Sequence, residues 1–284
     1  MYQSSSCPSA VVVGIDGSQW SVDAAVWAID EAISRDVPLR LIYVVEPRGA
    51  DAIDPEQASS DLACADVSVR RTLVAIESRE KPVKVEFEVL QGQPTKVLLE
   101  ASRSADLVCL GTRGIAHSTG SRLGSIAAIM STPPLCPVAI VRGGRHWSAQ
   151  PEHVVVELDE GPDGAHLLDA GVTEARLRDA PLTVLTTYPG ESGDVRDHSH
   201  QTKALARLNK RLARHRAANP DIEINPVAIR DTTMNYLAHH ADSVQLLVVD
   251  RLRRRGIGEI IGSARSAPPA INCSVLICQH HGRL

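Results

Sequence analysis

The sequence predicts an α/β protein of two tandem domains, each a doubly wound parallel sheet with helices on both faces. Three observations predict this fold class. Short apolar runs alternate with segments of helical period, the runs are apolar on both faces, and the order of elements repeats along the chain. With 284 residues and 43% hydrophobic content the chain can form two cores, and with 3% aromatic residues these must consist mainly of Val, Ile, Leu and Ala.

An internal repeat locates the two domains. The segment AVVVGIDGS at 10–18 is echoed by HVVVELDEG at 153–161, and the strand-like segments that begin at Pro38 and Pro181 are separated by the same offset. Further on, ADLVCLGTRG matches SVQLLVVDRLR, and CPVAIV matches CSVLIC. We therefore predict one domain at 1–145 and a second, more divergent copy at 151–284.

The first copy reads as five strands separated by four helices. In such an open parallel sheet, a ligand binds at the carboxyl ends of the strands, where the strand order reverses. The predicted strands lie near 11–14, 39–45, 83–90, 107–110 and 138–141, and the predicted helices near 18–34, 55–78, 94–102 and 121–131.

A glycine-rich segment, GTRGIAHSTGSRLGS at 111–125, follows the fourth apolar run. Glycines permit positive φ and the close approach of a ligand, and the N-terminus of a following helix attracts anions. The segment contains neither the GxxxxGK[ST] of a P-loop nor the GxGxxG of a dinucleotide site. Its own spacing is glycine, two residues, glycine, nine residues, then Gly-Ser, and it predicts a phosphate-binding loop.

This spacing resembles the ATP-binding signature of the universal stress protein family, and the repeat resembles its tandem type. The resemblance implies a Rossmann-like strand order of 3-2-1-4-5 in each domain, with the reversal between strands one and four. Asp16 and Gly111, which end those strands, would then meet. The fifth strand of each copy would form the edge along which copies associate.

The resemblance also implies an adenine-nucleotide site in the first copy. Asp16 would lie near the ribose and phosphates or near a Mg²⁺ ion bound with ATP. A second interpretation, which does not exclude the first, is that Asp16 caps the helix that begins near Ser18. The backbone of Val44 would hold adenine, and Gly92 would flank the pocket. The phosphates would be held by Gly111, Gly114, Gly124 and Ser125.

The second copy departs from the first at the positions that matter for binding. Glu157 replaces Gly14, Thr187 replaces Val44 and Asp231 replaces Gly92, while Asp250 and Arg253 stand where the first copy has Gly111 and Gly114. A carboxylate at the first loop position would repel a triphosphate, whereas the arginines at 251 and 253–255 could attract one. A possible second site stays open, formed by Asp159, Arg253, Gly262 and Ser263.

Composition and charge exclude several classes of protein. The net charge of −4 and the scarcity of aromatic residues argue against a nucleic-acid partner. Residues 1–10 lack a secretory signal and no run of about 18 apolar residues occurs, so we expect a cytoplasmic protein without membrane contact.

The cysteines, histidines and basic residues have ordinary structural interpretations. The six cysteines form no CxxC pair and are expected to be buried thiols in a reducing compartment. The basic segment 201–217 is expected to be an amphipathic helix with a solvated basic face. Neighbouring histidines such as His239 and His240 point about 100° apart on a helix, so no metal site formed by protein ligands alone is expected.

The preferred functional hypothesis is an ATP-binding stress-response regulator. As the resemblance implies, its two domains would pair with each other, helped by the high effective concentration that fusion creates. Dimerisation of whole chains and an unidentified protein partner stay open. The alternatives are an interaction scaffold that binds no nucleotide and a weak ATPase, for which no catalytic residue is assigned by motif.

Overall fold

The computed structural model describes residues 9–46, 55–112, 135–143, 152–159, 164–188, 197–230, 232–253, 256–261 and 273–279. The chain divides into two compact units, one mainly Met1–Gly144 and the other mainly Arg145–Ile260 with Ser266–Leu284. No helix within the described ranges is long and apolar enough to cross a bilayer.

The first unit contains a five-stranded parallel sheet whose order, β3-β2-β1-β4-β5, confirms the predicted one. The strands begin and end close to their predicted bounds, and the predicted helix at 121–131 lies outside the described residues. The strands are β1 (Ala10–Ile15), β2 (Leu39–Val45), β3 (Val85–Gln91), β4 (Ala105–Gly111) and β5 (Val138–Val141), and the helices are α1 (Gln19–Arg35), α2 (Pro55–Glu77) and α3 (Pro94–Ala101).

The second unit repeats this order as β8-β7-β6-β9-β10, which reads 3-2-1-4-5 when its own strands are counted from the first. Its strands are β6 (His153–Glu157), β7 (Leu182–Thr187), β8 (Ile224–Ile229), β9 (Val244–Asp250) and β10 (Ser274–Cys278), and its helices are α4 (Ala165–Leu177), α5 (Asp197–Ala218), α6 (Thr233–His239) and α7 (Gly258–Ile261).

The repeat extends to strand register. Val11 lies opposite Leu39 in the first sheet, and Val154, the counterpart of Val11 in the repeat, lies opposite Leu182 in the second. The pairing of β1 with β4 and that of β6 with β9 both shift register immediately before these valines. The two copies therefore share their backbone pairing as well as their apolar pattern.

Strands β1, β5 and β10 are largely buried, as expected for parallel strands covered by helices, whereas β3 is largely exposed. All four residues of β5 and all five of β10 are buried, as are the first four of β1. Helix α1 begins after Ser18, whose hydroxyl accepts a hydrogen bond from the Ser21 amide at 3.1 Å. Its C-cap is Asp36, which has a left-handed φ of 54°; in the second unit Asp179, two residues after the end of α4, has a φ of 47°.

The cysteines are only partly as expected. Cys109, Cys136, Cys273 and Cys278 are buried, but Cys64 on α2 is exposed, which corrects the expectation that all six are buried. Cys7 lies outside the described residues. The correction arises because Cys64 falls on the solvent side of a helix, although its sequence neighbours are mostly small and apolar.

Burial raises the pKa of the Cys136 thiol to about 12, whereas Cys64 faces solvent. Because only the thiolate reacts with alkylating agents, we expect iodoacetamide at a pH of about 8 to modify Cys64 in the native protein and to leave Cys136 unmodified until the protein is unfolded. Peptide mass mapping of labelled native and denatured samples measures both reactions. Native labelling of Cys136 as fast as that of Cys64 would contradict this expectation.

Candidate functional site

The carboxyl edge of the first sheet brings together the predicted site residues that the structure describes. Asp16 directly follows β1 and Gly111 ends β4, and these two strands pair in parallel. Val44 is the penultimate residue of β2, and Gly92 directly follows β3. Asp16 and Gly111 therefore stand at neighbouring strand ends, where the strand order reverses. Gly114, Gly124 and Ser125 lie outside the described residues.

Asp16 shapes the turn between β1 and α1. One carboxylate oxygen, Oδ1, accepts a hydrogen bond from the Ser18 amide at 3.0 Å, and Gly17 between them has a left-handed φ of 84°. Ser18, not Asp16, is the N-cap of α1, which corrects the alternative that Asp16 caps this helix. The first turn of α1 contains no acidic residue, and the carboxylate at this helix end is that of Asp16, which precedes the N-cap.

Gly111 allows β4 to approach α1 closely. A Cβ atom at this position would lie 2.6 Å from both the carbonyl carbon and the oxygen of Trp20, which is in the first turn of α1. Since these are backbone atoms, they cannot move aside as the end of a side chain can. The glycine is therefore required by helix–strand packing at the edge of the sheet.

The ends of β2 and β3 are closed by a backbone hydrogen bond from Gly92 to the carbonyl of Val45 at 3.0 Å. Gly92 has a φ of 149°, which L-residues rarely adopt, so a side chain there would be strained. Val44 is half-buried and lies opposite Leu90. Gly92 thus ends β3 in a tight turn beside the position predicted to hold adenine.

Two arginines that the sequence did not single out hold the turn after the first strand of each unit. In the first unit, Arg71 of α2 donates to the carbonyl of Gly17 at 3.3 Å and to the side chain of Gln19 at 2.6 Å. In the second, Arg211 of α5 donates to the carbonyl of Asp159 at 2.8 Å. In the sequence, each arginine looks like an ordinary charged residue on an amphipathic helix. Nothing in the neighbouring residues indicates that it contacts a turn that is distant in the chain.

Arg211 also corrects part of the expectation for segment 201–217. The helix is amphipathic, as predicted, with Leu208 and Leu212 buried. Arg211, however, is half-buried, and burial lowers its pKa, whereas a fully solvated basic face was expected.

At the corresponding edge of the second unit, Arg253 is paired with two carboxylates. Its Nε lies 2.6 Å from an oxygen of Glu157, which ends β6, and its Nη1 lies 2.6 Å from an oxygen of Glu259 in α7. Burial by itself would lower the pKa of Arg253, but the hydrogen bonds and charges of the two glutamates outweigh it and raise the pKa. The phosphate-binding role expected for Arg253 stays a prediction; the structure adds that two of its nitrogens contact carboxylates.

Asp250, which ends β9, has partners on both carboxylate oxygens. Oδ2 lies 2.9 Å from Nε2 of His166 in the first turn of α4, and Oδ1 accepts from the amide of Leu252 at 2.6 Å. Asp159 follows the first strand of this unit, as Asp16 does in the other. The remaining residues of the possible second site, Gly262 and Ser263, lie outside the described residues.

The histidine pair on α6 bonds to its own helix. Nδ1 of His239 lies 2.7 Å from the carbonyl of Asn235, and Nδ1 of His240 lies 2.8 Å from that of Tyr236. Among the described residues, no group of three or more His, Cys, Asp or Glu side chains could hold a metal ion.

The chain is similar in sequence to known proteins. Residues 9–142 match the family model described as "Universal stress protein family". The universal stress protein Rv2028c of Mycobacterium tuberculosis is 38% identical over 272 residues, which is 95% of this chain and 96% of that protein. A second protein of that organism, universal stress protein Rv2624c, is 34% identical over 94% of this chain and 95% of its own length.

Among solved structures, a universal stress protein from Archaeoglobus fulgidus DSM 4304 matches with a TM-score of 0.67 at 17% identity, covering 95% of this chain and 98% of that one. At that identity the structural match supports the fold. The two sequence relatives match nearly end to end at 38% and 34% identity, so they show membership of a family as well as the fold. The chain belongs to the universal stress protein family.

Proposed function

We propose that this protein is an ATP-binding stress-response regulator whose first unit holds the nucleotide. The proposal rests on the adjacency of Asp16 and Gly111 at the carboxyl ends of β1 and β4, the place where ligands bind in open α/β sheets. Membership of the universal stress protein family supports the regulatory part. The proposed ligand residues are Asp16, Val44, Gly92, Gly111, Gly114, Gly124 and Ser125.

The described part of the first-unit edge suits an adenine nucleotide. The N-terminal end of α1 carries no acidic residue in its first turn, and Gly111 projects no side chain toward it. The Asp16 carboxylate is of the chemical type that accepts hydrogen bonds from ribose hydroxyls or binds Mg²⁺. ATP, with or without Mg²⁺ near Asp16, is therefore the proposed cofactor.

Binding would act as a signal because a ligand that binds one conformation better shifts the population toward it. Such a shift could be communicated through the pairing of the two domains, through dimerisation of the chain or through binding of an unidentified protein partner. Light scattering of the full chain with and without MgATP tests for dimerisation. A cytoplasmic location remains part of the proposal.

Asp16→Asn is expected to weaken ATP binding about tenfold or more, because losing a charged hydrogen-bond partner costs about 1.5–3 kcal/mol. Asparagine keeps an oxygen that can accept from the Ser18 amide, so the turn should survive. Asp159→Asn makes the same change in the second unit and is expected to leave affinity unchanged. Titration of nucleotide-free protein with MgATP measures both variants.

Quantifying nucleotide released by denaturing the purified protein gives an independent check. About one ATP per chain is expected for a single site. If the wild type releases none and binds none on titration, the scaffold alternative replaces this proposal. ATP turnover that exceeds background and disappears in Asp16→Ala would favour the weak ATPase instead.

A further inference from the structure

The reversal point of the second unit contains a cluster of charged side chains. We call it the strand-end cluster. It is defined by the ion pairs of Arg253 with Glu157 and Glu259 and by the contact of His166 with Asp250. The side chain of Arg253 is 3% exposed and that of Glu157 is 9% exposed. The cluster consists of Glu157, His166, Asp250, Arg253 and Glu259.

Two members of the cluster stand where the first unit has glycines, of which Gly111 is required by backbone packing. At Gly14, the counterpart of Glu157, a Cβ would lie 2.8 Å from Leu110 Cδ2 and 3.3 Å from Leu98 Cδ1. At Gly111, the counterpart of Asp250, it would meet the backbone of α1. The second unit has carboxylates at both positions and provides a basic partner for each, Arg253 for one and His166 for the other.

The balance of charge in the cluster disfavours an anionic ligand. Three carboxylates face one guanidinium and one imidazole, so the cluster carries a net charge of −1 with His166 protonated and −2 with it neutral. Two guanidinium nitrogens of Arg253, Nε and Nη1, are committed to glutamates at 2.6 Å. A triphosphate would have to displace these carboxylates and would meet like charge as it did so.

We propose that the second unit holds no nucleotide, because Arg253, the buried cation at its reversal point, is paired with Glu157 and Glu259 and the cluster as a whole is negatively charged. The unit then folds without a ligand and leaves nucleotide binding to the first unit. The inference rests on the proposed function only in naming the unit that binds. The pairing of Arg253 with Glu157 and Glu259 is observed independently of it.

Hydrogen exchange with peptide-level mass spectrometry, on the full chain with and without MgATP, tests the location of binding. Slower exchange is expected in peptides covering β1 and β4, with no change in those covering β6 and β9. The same measurement on Arg253→Met without nucleotide is expected to speed exchange at the ends of β6 and β9 by about tenfold or more, since two glutamates lose their shared cation. Arg251→Met, in the same loop, is the matched control and should leave exchange there unchanged.

If Arg253→Met does not fold, the double variant Glu157→Gln with Arg253→Met is measured instead, because it removes one charge of each sign. Hydrogen exchange at the end of β6 in this double variant should be closer to wild type than in Glu157→Gln alone, or than in Arg253→Met if some of that variant can be purified. MgATP protection of β6 and β9 that Arg253→Met abolishes would overturn the proposal. So would an Arg253→Met variant that exchanges like the Arg251→Met control. If MgATP protects neither unit, the proposed function fails, and the exchange comparison of the arginine variants alone decides this inference.

Discussion

Arg35→Ala is expected to lower the free energy of unfolding by about 3–5 kcal/mol, because it removes the cation beside a buried glutamate. Nη1 of Arg35 lies 2.5 Å from a carboxylate oxygen of Glu31, whose side chain is 0% exposed, and also donates to the Glu31 carbonyl at 3.1 Å. The pair recurs at the equivalent positions of the second copy as Glu174 with Arg178. A buried carboxylate that loses its nearby cation costs much more than a surface ion pair contributes.

Denaturant unfolding of Arg35→Ala and of Arg178→Ala measures this cost in each unit separately. Arg35→Lys keeps a positive charge and should lose less, and Glu31→Gln with Arg35→Met should recover part of the loss because neither charge remains. A loss below about 1 kcal/mol in Arg35→Ala would place this pair with ordinary surface ion pairs and contradict the expectation.

Gly111→Ala is expected to destabilise the first unit by about 3 kcal/mol, at the upper end of the cost of overpacking. The added Cβ would lie 2.6 Å from backbone atoms of Trp20, so either β4 or the first turn of α1 must move. Under the proposed function the same movement would also disturb the Asp16 turn, so we expect nucleotide affinity to fall together with stability.

Gly14→Ala is the matched control. Its nearest contact would be the Cδ2 atom of Leu110 at 2.8 Å, which is the end of a flexible side chain, so we expect a loss of about 1 kcal/mol. Urea unfolding compares the two variants, and thermal unfolding with MgATP reports any change in ligand stabilisation. Equal losses in the two variants would mean that the close approach of β4 to α1 does not constrain position 111.

Much of the fold was predictable because the signals that specify it are local. Apolar runs such as 10–13 and 138–141 are continuous, and in a parallel sheet covered on both faces such runs become buried strands. The constant offset between matching segments identified the repeat, and the structure extends it to strand register. The order of strands came from the family resemblance, since an alternation of strands and helices is compatible with several orders.

The candidate site was predictable in part. Asp16 and Gly111 occupy the neighbouring strand ends that the strand order requires, but the packing role of Gly111 depends on Trp20, which lies far earlier in the chain. The exposure of Cys64 could not be read from a segment in which several residues are small and apolar. Arg71 and Arg211 were missed because each contacts a turn that is distant in sequence.

The sequence by itself determined the two copies, the alternation of strands and helices and the glycine-rich segment, because period and composition are properties of neighbouring residues. Only the tertiary structure decided that Arg253 pairs with Glu157, which lies at the end of a different strand. The physical reason is that side-chain pairing depends on which strand ends become neighbours, and parallel strands become neighbours through crossovers that no local pattern specifies.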